Sequence, residues 1–157
     1  MLSPAAGDRA PDFRLPSTQG EVALSELLAV GTPIVLVFYF EDGTPSCETE
    51  LSIFRDAAEM LNETNARVVA IGADSVASHE AFAARLGGVP FPLASDAMLD
   101  AARAYGVIDE GDDRRSRRAI FVITPDGTVA LAIPHFQPSS ISQVEEIFGT
   151  LAALGSA

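Results

Sequence analysis

An uninterrupted apolar run at residues 33–40 constrains the fold more than any other part of the chain. Its side chains are aliphatic, β-branched or aromatic, and no polar residue alternates with them. Such a run is typical of a central strand buried on both faces, because helices cover both sides of a parallel sheet. A second run of this kind occupies residues 67–71, and a helical pattern lies between the two. The sequence therefore predicts an α/β domain.

The remaining pattern surrounds these strands with short helices and two hairpins. We expect an edge hairpin (13–15 with 22–23), helices over 24–30 and 44–62, and a hairpin (119–124 with 128–133) around Pro125-Asp126-Gly127. Three further helices are expected: one capped by Asp74 or Ser75 and ending at Gly87-Gly88, one capped by Ser95 and ending at Gly106, and a last one capped by Ser139 or Ser140. This is the layout of a thioredoxin-like fold with a central mixed sheet. In open sheets of this class, functional residues lie beyond the carboxyl ends of strands.

Length, charge and cysteine content limit what the chain can be. A chain of 157 residues fits one compact domain over residues 1–157 and leaves no room for a second. Residues 1–8 lack the pattern of a secretory signal, and no stretch approaches the roughly 18 apolar residues of a membrane span. With a single cysteine, we expect a cytoplasmic protein. The formal net charge of −12 argues against nucleic acid as a partner.

Cys47 is the only cysteine, and it follows the first apolar run. It cannot form an internal disulfide, so it is either a small core residue or a reagent. Threonine is favoured at a helix N-cap and proline at the next position, so Thr44 and Pro45 predict a helix with Cys47 in its first turn. Free N–H groups and the positive end of the helix dipole stabilise a thiolate there, and the thiolate is the nucleophile.

A reactive thiol at this position needs a cation nearby, because Glu48 and Glu50 lie beside Cys47 and oppose the helix dipole. Arginines crowd positions 114, 115, 117 and 118. Arg118 opens a predicted strand and would be held by the sheet, whereas the other three are expected in a solvated loop. Glu50 either pairs with an arginine or is an ordinary solvated helix residue. A reactive thiolate also needs a fixed polar site that binds the charge developing in the transition state, which would supply most of the rate enhancement.

Five segments resemble, in order and spacing, the peroxiredoxins of the bacterioferritin-comigratory or peroxiredoxin Q type. They are Gly-Asp-Arg-Ala-Pro-Asp-Phe at 7–13, Val-Phe-Tyr at 37–39, Thr-Pro-Ser-Cys at 44–47, the stretch 96–107, and Arg-Ala-Ile-Phe-Val-Ile at 118–123. The likeness covers nearly the whole chain. Each segment alone is weak, and five in register are specific.

The resemblance implies an antioxidant thiol-dependent peroxidase that reduces hydrogen peroxide or organic hydroperoxides. Cys47 would be the peroxidatic cysteine, which becomes a sulfenic acid. Thr44 would bond the peroxide through its hydroxyl, and Arg118 would stabilise both the thiolate and the transition state. Backbone N–H groups of Ser46 and Cys47 would complete the set of donors. The resemblance implies no metal, haem or flavin cofactor.

The chain departs from the family motif at two positions. The motif proline falls on Phe40, which is expected to reshape the pocket, favouring bulkier hydroperoxides or weakening catalysis. Many relatives carry a resolving cysteine where this chain has Ser52, so a one-cysteine form recycled by an external thiol, a thioredoxin-like protein or a small thiol, is implied. Tyr39 would be a wall of the pocket, or simply a residue packed in its strand.

Two other classes of function compete with the peroxidase. A disulfide reductase needs a Cys-x-x-Cys pair, and Thr44 occupies the first position, so that class is disfavoured. A redox sensor or interaction module that has lost peroxidase turnover is the main alternative. The replacement of the motif proline by Phe40 supports it. His79 and His135 lack partners at metal-ligand spacing and are expected on the surface. The protein would be a monomer or a homodimer, with Phe136 a candidate exposed residue of a dimer face.

Overall fold

The computed structural model describes residues 3–155, in which seven strands form one mixed sheet flanked by helices. The strands are β1 (Arg14–Ser17), β2 (Gly20–Ala23), β3 (Ile34–Phe38), β4 (Arg67–Gly72), β5 (Leu93–Ser95), β6 (Ala119–Ile123) and β7 (Val129–Ile133). The helices are α1 (Leu24–Ala29), α2 (Pro45–Asp56), α3 (Ala58–Glu63), α4 (Val76–Arg85), α5 (Asp100–Ala104) and α6 (Ile141–Gly155). None of the helices between residues 3 and 155 combines the length and apolar character needed to cross a bilayer.

Strand β3 lies inside the sheet, whose order is β2-β1-β5-β4-β3-β6-β7. It runs parallel to β4 and antiparallel to β6, and all five of its residues are buried. The apolar run thus predicts the central strand correctly, and its last two residues, Tyr39 and Phe40, extend past the carboxyl end of the strand. The N-terminal hairpin of β1 and β2 lies at the edge of the sheet, as expected.

The two faces of the sheet bury two separate hydrophobic clusters, because side chains alternate along each strand. Leu36 and Phe38 of β3 join a cluster with residues of α1 and α5. Val35 and Val37 join the other cluster, which also contains Tyr39 and Cys47. That second cluster packs α2, α3, α4 and α6 onto the sheet through Phe54, Leu61, Phe82 and Ile147. The thiol therefore lies on the face covered by the longer helices.

Two helical expectations differ from the structure. The single helix expected over 44–62 is divided into α2 and α3 at Ala57, whose φ of −91° and ψ of 11° leave the helical range. Ser95 does not cap a helix, because residues 93–95 form the short strand β5 beside β4. The carboxylate of Asp96 instead accepts the N–H groups of Ala101 and Ala102 in the first turn of α5, at 3.1 and 2.9 Å.

The other predicted caps are found in the structure. Ser75 is the N-cap of α4, and its hydroxyl accepts the N–H of Ser78. Ser140 precedes α6 and accepts the N–H of Gln143 at 3.3 Å. The turn at 124–128 joins β6 to β7 as predicted, with Gly127 at a φ of +88°, a left-handed conformation that glycine adopts without strain.

Candidate active site

Cys47 lies in the first turn of α2, at the carboxyl end of β3, with Thr44 as the N-cap and Pro45 as the first helical residue. The cysteine is fully buried. The backbone N–H of Phe40 points at its sulfur, with 3.3 Å between Phe40 N and Cys47 Sγ. The loop before the helix thus supplies a donor that the sequence analysis did not anticipate.

Thr44 begins the helix through its backbone rather than its side chain. Its carbonyl accepts the N–H of Glu48 at 2.9 Å, and its hydroxyl donates to the carbonyl of Glu41 at 3.1 Å. The N–H groups of Ser46 and Cys47 precede the first helical hydrogen bond and therefore have no acceptor within the helix. Ser46 itself is exposed. The lone pairs of the Thr44 hydroxyl remain available to an incoming donor.

Arg118 reaches the site from the neighbouring strand. It immediately precedes β6, where Ala119 pairs with Phe38 at the end of β3, so Arg118 lies opposite Tyr39. Its carbonyl accepts the N–H of Phe136 at 2.9 Å, which anchors its backbone. Its Nε atom is buried and has no hydrogen-bond partner among the described residues.

Glu50 lies one turn beyond the thiol and is fully buried, so the solvated interpretation of this residue is wrong. Burial, followed by the nearby Cys47, raises the pKa of its carboxyl well above the ordinary value, and the charge of Arg118 opposes this rise. Glu50 is therefore in electrostatic contact with both Cys47 and Arg118. Neither oxygen of Glu50 has a hydrogen-bond partner within the described chain, so the pairing with Arg118 is not a direct hydrogen bond.

Tyr39 is buried in the same cluster as Cys47, and its hydroxyl donates to Asp42 Oδ1 at 2.7 Å. Its ring packs on Gly72, where an added Cβ would lie 2.9 Å from Tyr39 Cζ. The side chain of Phe40 is partly exposed and lies beneath Arg115, with 5.7 Å between the guanidinium carbon and the ring centroid.

Residue His79 was expected on the surface, and this expectation is wrong. The side chain is fully buried, with Nδ1 2.7 Å from Asp42 Oδ2 and Nε2 3.1 Å from the carbonyl of Ala94. The sequence carries a signal that reveals this, because His79 and Phe82 are three residues apart and share the buried face of α4. His135 is exposed, as predicted.

Two of the arginines assigned to a solvated loop are instead bound to the protein. Arg115 contacts Asp74 at 3.1 Å, Glu41 at 3.4 Å and the carbonyl of Phe40 at 3.3 Å. Arg117 donates to three backbone carbonyls, those of Pro134, Ile108 and Gly106. Only Arg114 of the three is highly exposed, because the polar stretch folds back onto the sheet.

Phe136, expected to be exposed on a dimer face, is buried at 2% exposure within the cluster that contains Cys47. Its backbone N–H is bound by Arg118, and this contact turns the side chain into the core. Residues 3–155 contain no group of three or more His, Cys, Asp or Glu side chains placed to hold a metal ion.

Comparison with known proteins shows a consistent set of similarities. The pattern of the AhpC/TSA family matches residues 6–132. The chain is 30% identical over 155 residues to a peroxiredoxin homologue, bcp, of Coxiella burnetii, covering 96% of this chain and 100% of that protein. It is 33% identical over 150 residues to the chloroplastic peroxiredoxin Q of Sedum lineare, covering 94% and 78% of the two chains.

Solved structures agree with this similarity. The crystal structure of the peroxidoxin BcpB from Mycobacterium tuberculosis superposes with a TM-score of 0.84 at 32% identity, covering 96% of this chain and 98% of that one. A structure of peroxiredoxin Q from Xanthomonas campestris gives a TM-score of 0.77 at 28% identity, covering 91% of each chain.

Proposed function

This chain belongs to the AhpC/TSA family, as a thiol-dependent peroxidase of the peroxiredoxin Q type with a thioredoxin-like fold, and we propose that Cys47 is its peroxidatic thiol. The supporting observation is the position of the only cysteine: it lies at the start of α2, with an amide donor at the sulfur and with the buried Glu50, which also interacts with Arg118, in electrostatic contact. The alternative of a fold that has lost its peroxidase activity is not favoured by these similarities.

The proposed reaction is a displacement at oxygen. The Cys47 thiolate attacks the terminal oxygen of the hydroperoxide, so an S–O bond forms while the O–O bond breaks. The sulfur is oxidised to a sulfenic acid, and the peroxide is reduced to an alcoholate, or to hydroxide in the case of hydrogen peroxide. That leaving oxygen takes up a proton and departs as alcohol or water.

Thr44, Arg118 and the first amides of α2 would bind the two peroxide oxygens. The Thr44 hydroxyl donates to the carbonyl of Glu41, so the lone pairs of its oxygen can accept a hydrogen bond from the O–H of the peroxide. The N–H groups of Ser46 and Cys47 lack helical acceptors and can donate to oxygen as charge develops. The guanidinium of Arg118 would stabilise both the thiolate and the negative charge on the leaving oxygen.

Phe40 and Tyr39 would shape the pocket around these donors. Phe40 stands where the family motif has proline, and Arg115 holds its ring and its carbonyl in place. An ordered aromatic ring beside the thiol suits organic hydroperoxides with apolar substituents. Tyr39 would act indirectly, through packing and through Asp42.

The recycling step would use a thiol from outside the chain, because the chain has one cysteine and Ser52 occupies the position of the resolving residue. A thioredoxin-like protein or a small thiol would attack the sulfenic acid and release water, and a second thiol would complete the reduction. We place this cycle in the cytoplasm, where such thiols are abundant. The protein would act without a cofactor, as a monomer or homodimer, and its net charge of −12 disfavours nucleic acid.

Rapid mixing of the reduced protein with hydrogen peroxide or an organic hydroperoxide tests this function. One equivalent should be consumed per subunit much faster than by free cysteine, and the intact mass should rise by one oxygen atom at Cys47. The Cys47→Ser protein is the control and should neither consume peroxide nor gain oxygen. Oxidation of methionine with an unmodified Cys47 would overturn the assignment.

A further inference from the structure

A buried polar cluster of Tyr39, Asp42 and His79 lies directly behind the loop that faces the thiol. Asp42 is the centre of this cluster: Oδ1 accepts from Tyr39 at 2.7 Å, and Oδ2 accepts from His79 and from Ser78, both at 2.7 Å. His79 is fully buried, and the Asp42 side chain is 7% exposed. Water therefore does not compete for these hydrogen bonds, which strengthens them.

The hydrogen bonds converge on the Asp42 carboxylate. Both ring nitrogens of His79 face oxygen atoms: Nδ1 lies 2.7 Å from Asp42 Oδ2 and 3.0 Å from the Tyr39 hydroxyl, and Nε2 lies 3.1 Å from the Ala94 carbonyl. Burial opposes ionisation of Asp42, but hydrogen bonds from His79, Tyr39 and Ser78 hold the pKa of its carboxyl below the ordinary value. The cluster thus holds Asp42 as a carboxylate that His79, Tyr39 and Ser78 orient.

Tyr39 and Asp42 are the two ends of a four-residue segment, residues 39–42, and they are held both by their side-chain bonds in the cluster and by backbone bonds to residues outside it. The backbone of Tyr39 is bound through its N–H to Ile71 at 3.0 Å and through its carbonyl to the Ser116 hydroxyl at 2.9 Å. The N–H of Asp42 donates to Asp74 Oδ2 at 2.8 Å. Phe40 lies between these anchors, so the direction of its N–H is set by them.

The N–H donor at position 40 exists because the residue there is phenylalanine and not proline. The family motif places a proline at position 40, and proline has no N–H to donate. Phenylalanine supplies one, 3.3 Å from the sulfur. A hydrogen bond to a charged acceptor is roughly twice as strong as one to a neutral acceptor, so this donor favours the thiolate over the thiol.

We propose that the backbone N–H of Phe40 is a catalytic donor to the Cys47 sulfur, and that Asp42 and His79 are positioning residues that aim it. The inference rests on the proposed role of Cys47 as the reacting thiol. It explains how a chain that lacks the motif proline keeps a reactive sulfur. Loss of the amide, or of the cluster that orients it, weakens the thiolate.

Substitutions at position 40 test the donor directly. Phe40→Ala removes the ring and keeps the N–H, whereas Phe40→Pro removes both. The pH midpoint of thiolate formation is read from ultraviolet absorbance, with the matching Cys47→Ser protein subtracted. We expect Phe40→Ala to titrate within a few tenths of a pH unit of the wild type, and Phe40→Pro to titrate about one pH unit higher, a tenfold change in the equilibrium. Equal midpoints for the two variants would overturn the donor role.

Variants of Asp42 and His79 separate positioning from simple electrostatics. Asp42→Asn removes a negative charge, so a direct Coulomb effect would lower the midpoint of thiolate formation, whereas His79→Gln displaces the ring nitrogen that contacts Asp42. Positioning predicts that both midpoints rise. Opposite shifts would overturn the positioning role. His79→Asn, which keeps a donor near Asp42, should recover part of the loss, because it rebuilds the hydrogen bond that orients the carboxylate.

Two variants that change no charge, Tyr39→Phe and Tyr105→Phe, provide the test if the Asp42 and His79 variants do not fold. Tyr39→Phe deletes the hydroxyl that donates to Asp42, and Tyr105→Phe deletes a similarly buried hydroxyl that donates to the Pro11 carbonyl in the other core cluster. Tyr39→Phe should raise the thiolate midpoint and slow oxidation by hydrogen peroxide, and Tyr105→Phe should change neither. Loss of thermal stability in both with an unchanged midpoint would overturn the proposal.

The titration also separates this inference from the proposed function. If the wild-type protein consumes no peroxide at Cys47, the assignment of the peroxidatic thiol fails. The thiolate midpoints still decide whether the Phe40 amide acts on the sulfur, because they are measured without peroxide. Normal peroxide consumption by the wild type with unshifted midpoints in every variant would overturn the inference alone.

Discussion

Glu50 and Arg118 hold unsatisfied polar atoms against the thiol. Of the four buried side-chain polar atoms without a hydrogen-bond partner in residues 3–155, three belong to these two residues. Leaving such atoms unpaired costs free energy. A fold keeps unpaired atoms where a ligand or a reaction intermediate completes their hydrogen bonds. We interpret the Nε of Arg118 as a donor held ready for the charge that develops on the peroxide.

Arg118→Ala tests this interpretation at the level of one side chain. We expect oxidation of Cys47 by hydrogen peroxide to slow by about 100- to 1000-fold, the usual effect of removing a donor that stabilises developing charge. The fold should change little, since the backbone of Arg118 keeps its contact with Phe136. The measurement is single-turnover mixing over a series of peroxide concentrations.

Arg114→Ala is the matched control for Arg118→Ala, because its side chain is 85% exposed and pairs only with Asp112 nearby. It should oxidise at the wild-type rate. An equal slowing in both variants would show that the rate follows the net charge of the protein rather than the position of Arg118.

The buried carboxyl of Glu50 predicts how the stability of the fold depends on pH. Its pKa in the folded protein lies well above the ordinary value of 4.5, first because of burial. The folded state therefore binds this proton more tightly than the unfolded state, so wild-type stability falls as pH rises from about 4.5 towards the raised folded value. Glu50→Gln has no proton to lose, and its stability relative to wild type should rise by about 1.4 kcal/mol per pH unit in that window.

Denaturant unfolding at several pH values between 4 and 8 measures this difference. The constant cost of burying an amide cancels, because only the slope with pH is compared. Glu48→Gln is a suitable control, since Glu48 is partly exposed and bonded to Arg85 at 3.2 Å. A flat difference for Glu50→Gln across the range would contradict the raised pKa.

At the scale of secondary structure, α2 begins without a side-chain cap, unlike α4 and α6. The Thr44 side chain makes no capping hydrogen bond, so its hydroxyl does not contribute to helix stability in the usual way. Ser140 does cap α6. Thr44→Val should therefore slow oxidation by about tenfold, the value of one hydrogen bond to a charged group, while the unfolding free energy changes by less than a typical cap of about 1 kcal/mol.

Ser140→Ala should show the reverse pattern, with a loss of about 1 kcal/mol in unfolding free energy and no change in the oxidation rate. Denaturant unfolding and single-turnover mixing on the two proteins give the comparison. If Thr44→Val destabilises the fold as much as Ser140→Ala does and oxidises normally, Thr44 is a structural cap and not a peroxide ligand.

The elements differ in how far the sequence determines them. Strand β3 is predictable because every residue is apolar, and the start of α2 because threonine is favoured at an N-cap and proline at the first helical position. Strand β5 has three residues, too short for any periodicity, and its pairing with β4 depends on distant parts of the chain. The burial of His79 follows from its spacing with Phe82 on α4, but its bond to Asp42, which lies 37 residues earlier, is not predictable, because no local pattern joins the two.

At the scale of the whole molecule, the proposed catalytic groups converge on one end of the sheet from three elements. The thiol lies on α2, the Phe40 amide lies in the segment after β3, and Arg118 immediately precedes β6. The backbone pairing between β3 and β6 brings the Phe40 amide and Arg118 to the same end of the sheet. Geometry of this kind favours a reaction in which donors are fixed before charge develops.

The burial of Cys47 limits the second half of the catalytic cycle. The residue has 0% exposure, so an external thiol cannot approach the sulfur in line in this conformation. Every reactant needs some opening at the sulfur, and a thiol reductant, which is larger than hydrogen peroxide, needs a wider one. Reduction of the sulfenic acid therefore requires the first turn of α2 to open, and local opening of a helix end costs far less than global unfolding.

We expect the rate of reduction to reach a plateau as the concentration of a small thiol rises, because opening becomes limiting, while oxidation by peroxide stays linear. Amide hydrogen exchange should also quicken in α2 after oxidation and remain unchanged in α6, which packs on the same core but carries no reacting group. Reduction that stays linear in thiol at every concentration, with unaltered exchange in α2, would show that the closed fold already admits the reductant.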